Sequence, residues 1–211
     1  MVLIVAATLM LSTLQSAQPV VRIYDAYGVT AADLEKARAT AEAILKRAGV
    51  ELRLCPPSSV SARPSEATFC DATPELRDFA VRITAAGARD VDGSLGYSLV
   101  DVDQRAGSLA TIFADRVHEL ARQAGSNMAI LLGRAMAHEI GHLLLGTSTH
   151  SRVGLMRSHW LVPELRRDLQ WDWFFSGRDA AEMRRRLAAR SRREAPAGRQ
   201  AGTGGVDNHG S

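Results

Sequence analysis

The sequence predicts an α/β (α+β) fold: a mixed, twisted sheet packed on helices, with one long apolar helix and a small C-terminal lobe. Three observations carry this. Short strand-like runs recur through the first half of the chain, the first two separated by a helical pattern. Residues 128–145 are apolar nearly all round, the mark of a buried helix. With 211 residues, 46% of them apolar, the chain can bury one good core that a cleft divides, and it contains no repeat and no second full domain.

The elements follow in order. Residues 1–17 read as a secretion signal: an apolar stretch over 2–14, then small Ser16 and Ala17 ahead of a cut before Gln18. An uncleaved anchor is the alternative, although the stretch is short for a membrane span, and no other segment is expected to be one. Residues 20–27 alternate as a first strand. Thr30 is placed to cap a helix over 31–47, and Gly49 to end it. A second strand is expected at 51–54, a third at 79–84, a fourth at 95–100 and a fifth at 110–117. The long apolar helix follows, with Ser126 or Asn127 as its cap and Gly146 as a left-handed stop. A further helix opens at Pro163, a closing helix covers 180–190, and residues 191–211, rich in Gly, Arg and Ala, form a disordered tail. One folded domain is therefore expected over 18–190, secreted or periplasmic.

Cys55 and Cys70 agree with export. They enclose 14 residues rich in Pro, Ser, Arg and Ala, and neither has metal-ligand spacing with another cysteine. A disulfide closing such a loop is worth about 3 kcal/mol in the chain-entropy model. The net charge is +3, and 24 of the 26 basic residues are arginine. Arg184, Arg185, Arg186, Arg190, Arg192 and Arg193 crowd near the C-terminus, but Met183 and Leu187 place the run on a helix. A solvated helix face accounts for it better than nucleic-acid binding. Asp90, Asp92, Asp101 and Asp103 lack the glycine position and terminal glutamate of an EF-hand. Turn chemistry accounts for them, with calcium as the alternative.

The long helix carries His138-Glu139-Ile140-Gly141-His142. Positions four apart on a helix lie about 40° from each other around the axis, so His138 and His142 point the same way and can grip one metal ion. Two imidazoles and a later ligand suit zinc and leave a fourth tetrahedral position for water. Glu139 flanks that face, placed to take the water's proton rather than to bind the metal. Two histidines and a glutamate inside an apolar helix would be costly without a metal to satisfy them. Three residues compete for the third ligand position: His150 just past Gly146, Glu164 on a later helix, and His159 beside Trp160.

The stretch HLLLGTSTHSRVGLM over 142–156 resembles the metzincin zinc peptidases, whose pattern is H-E-x-x-H-x-x-G-x-x-H followed by a methionine turn. The His150-Ser151 pair is similar to the matrixin branch. A bacterial matrixin-like group shares A-H-E-x-G-H-L-L-L-G, here 137–146, and H-S-x-x-G-[IL]-M-x-x-x-W, here 150–160. The motifs cover about 25 residues, with a looser likeness over 79–187. Gly146 lies four residues after His142 and His150 four after Gly146, one extra on each side. One more helical residue and a slightly longer loop absorb the difference.

The resemblance implies a two-lobed zincin fold, zinc on His138, His142 and His150, and Met156 as an apolar floor under the metal. It also implies peptide-bond hydrolysis with Glu139 as general base. The substrate is then expected to lie extended along an edge strand at Gly96, Tyr97 and Ser98. Peptides or proteins are the expected partners. No nucleic acid, no stable membrane association once the signal is removed, and a monomeric chain are expected. A zinc hydrolase of a non-protein amide and a non-catalytic peptide-binding protein are the alternatives.

Overall fold

The computed structural model describes residues 18–57, 69–88 and 93–194. The expected signal, Asp90 and Asp92 of the acidic cluster, and the tail beyond 194 lie outside the described residues. Five strands form one sheet: β1 (Val20–Asp25), β2 (Arg53–Cys55), β3 (Phe79–Thr84), β4 (Gly96–Asp101) and β5 (Ala106–Phe113). Their spatial order is β2-β1-β3-β5-β4, with every neighbouring pair parallel except β4, which runs antiparallel to β5 at one edge. The helices are α1 (Ala31–Arg47), α2 (Ala114–Ala124), α3 (Met128–Leu145), α4 (Val162–Arg167) and α5 (Gly177–Glu194), with a 3₁₀ turn at Gln170–Trp173.

Local chemistry sets the boundaries. β1 stops at Asp25 because its carboxylate accepts from the amides of Tyr27, Gly28 and Val29, bending the chain short of the expected end at 27. The Thr30 hydroxyl accepts from the Asp33 amide at 3.2 Å, the cap expected of α1. β2 lies slightly later than expected, and its Cys55 is joined to Cys70. Asp101 accepts from the amides of Asp103 and Gln104, so it is the turn residue of the β4–β5 hairpin.

Two expectations are corrected. The fifth strand ends at Phe113, and residues 114–117 open α2, a helix that the sequence reading left out. Ala114, Val117, Ala121 and Ala124 are its buried residues, at spacings of three and four. A strand would have sent Ala114 and Val117 to opposite faces, whereas the helix buries both on one side and leaves the charged Asp115 and Arg116 half-buried. The closing helix runs Gly177–Glu194, longer than 180–190, so the first four residues of the expected disordered tail are helical.

The alternation of the strands assigns the two faces of the sheet. Ile23, Val81 and Ala110 form one cross-strand row, and Ile83 and Ile112 another, all buried beneath α1 and α3. The same rows end on β4 at Ser98 and Gly96, which brings those two residues over α3. α3 is apolar and long enough to cross a membrane by composition, but 89% of it is buried within the protein. Its Asn127 cap accepts from the Ile130 amide, and Gly146 stops it at φ 59°.

The crossing of α1 over α3 is close. A Cβ added at Gly133 would collide with the Ala37 carbonyl oxygen and lie 2.6 Å from the Thr40 Cβ. In an open helix, alanine would be favoured by about 1 kcal/mol over glycine. Backbone crowding of this kind costs about 1–3 kcal/mol and more in rigid settings. Gly133→Ala is therefore expected to lower the urea midpoint, a net loss of about 1–2 kcal/mol. An unchanged or raised midpoint would mean that α1 moves freely off α3.

Candidate metal centre

α3 presents His138 and His142 one turn apart, both buried, and the chain then reverses at Gly146 to bring back His150, which is exposed at the rim. The His138 and His142 Nε2 atoms are 3.1 Å apart, and those of His142 and His150 are 3.3 Å apart. One ligand atom from each of the three histidines lies within 4.8 Å of the others. The two buried rings turn their other nitrogens to backbone carbonyls: His138 Nδ1 to Leu155 O and His142 Nδ1 to Thr147 O, each at 2.8 Å. Such bonds hold the proton on Nδ1 and leave the Nε2 lone pair for a metal. Burial, and then the neighbouring imidazoles, push His138 down to about 3. Burial takes His142 down to about 4, so both rings are neutral at pH 7, the form a metal requires. The donor set fits zinc.

The loop geometry absorbs the unusual spacing. The helix continues to Leu145, taking up one extra residue, and the Gly146 amide donates to His142 O. A side chain at Gly146 would collide with the Arg105 carbonyl, so the turn rests against the β4–β5 hairpin. Thr147 supplies the carbonyl to His142, and its hydroxyl accepts from the Thr149 amide. Both contacts shape the run to His150.

Glu139 points from α3 toward β4. The Ser98 hydroxyl lies 2.7 Å from its carboxylate and 2.8 Å from its backbone carbonyl. Gly96 makes room: a Cβ there would stand 3.2 Å from Glu139 Oε1 and would collide with the Thr111 carbonyl. Burial raises the Glu139 carboxyl up to about 7, opposed by the Ser98 bond. Gly96, Tyr97 and Ser98 line the cleft with the three histidines. The cleft holds about 670 Å³ and runs between α2 and the segment 157–161.

Of the competing third ligands, Glu164 is engaged elsewhere. Its carboxylate accepts from the Leu161 amide at 3.2 Å and faces Arg157 at 3.4 Å, as a helix-start residue does. His159 sits at the cleft rim with Nδ1 3.0 Å from the Ser158 hydroxyl, outside the three-histidine group. Met156 is buried, and its sulfur packs against α3 where a Cβ on Gly141 would lie 2.8 Å away. The turn around it closes through Ser151 N to Met156 O at 2.8 Å.

Trp160 was not assigned a role from sequence. Its indole N–H donates to Leu155 O at 3.3 Å, the carbonyl that also accepts from His138, and its ring stands edge-on to His138 with centroids 5.7 Å apart. Leu155 N in turn donates to Phe174 O at 2.8 Å. Behind Trp160 lies Trp173, whose ring is faced by the guanidinium of Arg134 from α3 at 4.0 Å. Arg134 also pairs with Asp168 at 2.6 Å. These contacts tie the C-terminal lobe to the metal-bearing helix. The position of Trp160 four residues after Met156 is a signal in the sequence; the carbonyls of Leu155 and Thr147 have none.

Two outcomes follow from this geometry. His150→Ala is expected to weaken zinc binding strongly, whereas Glu164→Ala leaves it nearly intact; titration with a competing chelator measures both. The reverse order would move the third ligand to α4. The second concerns Glu139 in the metal-free protein. A carboxyl whose folded pKa stands at about 7, above the unfolded 4.5, costs stability as pH rises from 4.5 through 7. Glu139→Gln should therefore raise the melting temperature of metal-free protein at pH 8 and converge on wild type near pH 4. A variant no more stable at pH 8 would show that the carboxylate carries no burial cost.

The sequence matches no family model and no curated protein. The fold matches solved structures. Archaemetzincin from Methanopyrus kandleri aligns with a TM-score of 0.52 at 15% identity, over 84% of this chain and 99% of that one. A zinc-dependent peptidase from Methanocorpusculum labreanum aligns with a TM-score of 0.51 at 13% identity, over 77% of this chain and 99% of the other. The two neighbours bear on zinc peptidase folds at large rather than on the matrixin branch expected from the motif. The chain has a mixed α/β fold of the zinc peptidase kind, and its three-histidine group fits a zinc ion.

Proposed function

We propose that this protein is a zinc-dependent endopeptidase in which Glu139 is the general base. One observation carries the reading: three convergent imidazole nitrogens with Glu139 beside them, tied through Ser98 to an edge strand, on the floor of one open cleft. His138, His142 and His150 would hold the ion. Bound zinc supplies a Lewis acid that polarises the scissile carbonyl and acidifies water.

The remaining work falls to the chain. Glu139, beside the three imidazoles and held by Ser98, is placed to accept a proton from the attacking water and to pass it to the leaving amine. Ser98 orients the carboxylate, and Leu155 and Thr147 orient the imidazoles. Among the described residues β4 has a strand neighbour on one side only, so an extended peptide can add to its other edge across Gly96, Tyr97 and Ser98. Met156 lies at the base of this arrangement as its apolar floor. The Cys55–Cys70 disulfide supports an oxidising, extracytoplasmic setting, in keeping with the leader-like residues 1–17.

The test uses an unfolded protein as substrate. Glu139→Gln should retain zinc and lose about 10²–10⁴ in hydrolysis, because it keeps the shape and removes the base. His142→Ala should lose both zinc and activity. Equal hydrolysis by wild type and Glu139→Gln would refute the catalytic carboxylate.

A further inference from the structure

The sheet has a second face, turned away from α1 and α3. Register places Tyr24, Arg82, Thr111 and Tyr97 in one row across β1, β3, β5 and β4. Arg22, Ala80, Leu109 and Leu99 form the next row. At the β2 end this face is occupied: Arg22 donates to Asp78 and to the Ala72 carbonyl, and Cys55 is bridged to Cys70. Toward β4 it is open. Tyr24 is 54% exposed, Leu99 55% and Tyr97 37%, three large side chains on one side of a sheet.

Arg82 lies between the two tyrosines. Its guanidinium meets the Tyr97 hydroxyl at 3.2 Å and the Thr111 hydroxyl at 3.3 Å, and among the described residues no carboxylate neutralises it. Arg22, by contrast, is paired with Asp78 at 2.7 Å. The open face thus offers apolar and aromatic surface around one uncompensated positive charge. Four strands at about 4.8 Å spacing make the row about 14 Å long, enough for roughly four extended residues.

This surface is continuous with the catalytic cleft. Alternation along β4 turns Ser98 inward to Glu139 and its neighbours Tyr97 and Leu99 outward, and Tyr97 lines the cleft as well. A protein chain that extends past the β4 edge can fold back from the cleft onto this face, with Tyr97 common to both. We propose that Tyr24, Arg82, Tyr97 and Leu99 form a second docking surface for protein substrates, taking a segment that carries a carboxylate among apolar side chains, away from the scissile bond. The proposal rests on the peptidase reading and specifies its substrate class: unfolded acidic proteins over short peptides.

The experiment pairs kinetics with direct binding. The double variant Tyr24→Ser/Leu99→Ser changes exposed residues that do not line the cleft. It should raise KM for casein about 10-fold and leave kcat/KM for a hexapeptide unchanged. In a Glu139→Gln background, which cannot turn over, labelled casein should bind about 10-fold more weakly when the same pair is replaced. Arg82→Gln should weaken that binding and abolish its dependence on salt. Equal effects on casein and hexapeptide, or no effect on either, would overturn the proposal. So would a wild-type dimer that the double variant dissolves, or single-stranded nucleic acid captured through these residues. If the wild type cleaves nothing yet casein binding depends on this face, the peptidase reading fails and the docking surface stands. If it cleaves casein and the face is indifferent, the reverse holds.

Discussion

Two imidazoles and a carboxylate inside a largely apolar helix impose the condition on which the rest of this structure depends: each of their buried polar atoms must meet a partner. An unmet one costs a substantial fraction of the net stability of a domain this size. The partners come from three separate places in the chain. β4 supplies the Ser98 hydroxyl to Glu139, the turn after α3 supplies the Thr147 carbonyl to His142, and the turn at 154–156 supplies the Leu155 carbonyl to His138. The edge strand, the reversal at Gly146 and the C-terminal lobe are therefore parts of one arrangement around α3. Gly96 and Gly141 clear the space these contacts occupy, and Gly146 and Gly154 allow the two turns their close approach.

The apolar content of α3 and its polar content have different structural roles. Ile140, Leu143 and Leu144 belong to the core and fix the helix against the sheet. That fixed position sets where the histidines point. α1 presses on the same helix at Gly133, and Arg134 anchors it to Asp168 on the other lobe. Trp173, between Arg134 and Trp160, carries the contact from the lobe back toward His138. A helix held from so many directions keeps ligand geometry against thermal motion, which a site of preorganised groups needs.

Much of this was legible in the sequence. The helix, a cap at Ser126 or Asn127, its Gly146 stop, the histidine pair and the succession of five strands along the chain all follow from period and punctuation. So did the reach of His150, because a left-handed glycine permits a reversal whatever the count of flanking residues. What stayed hidden has physical reasons. α2 was read partly as strand because the run ending at Ala114 was carried on past the charged Asp115 and Arg116 to Val117, and the spacing of three and four from Ala114 to Ala124 is what separates the two readings. The orienting carbonyls of Leu155 and Thr147 are backbone atoms, which every residue carries. Glu164 illustrates the opposite case: an acidic residue near a zinc motif looked like a ligand, and its partner proved to be its own helix start.

The use of main-chain acceptors at 147 and 155 has a consequence for how this site tolerates change over generations. A carbonyl persists through any substitution of its own side chain, so mutations at these positions alter packing while the acceptor itself endures. The acceptors of His138 and His142 are thus insulated from side-chain replacement at 155 and 147, whereas the imidazoles themselves and the glycines around them are not. Drift can then remodel the rim of the cleft while the three-histidine group stays intact.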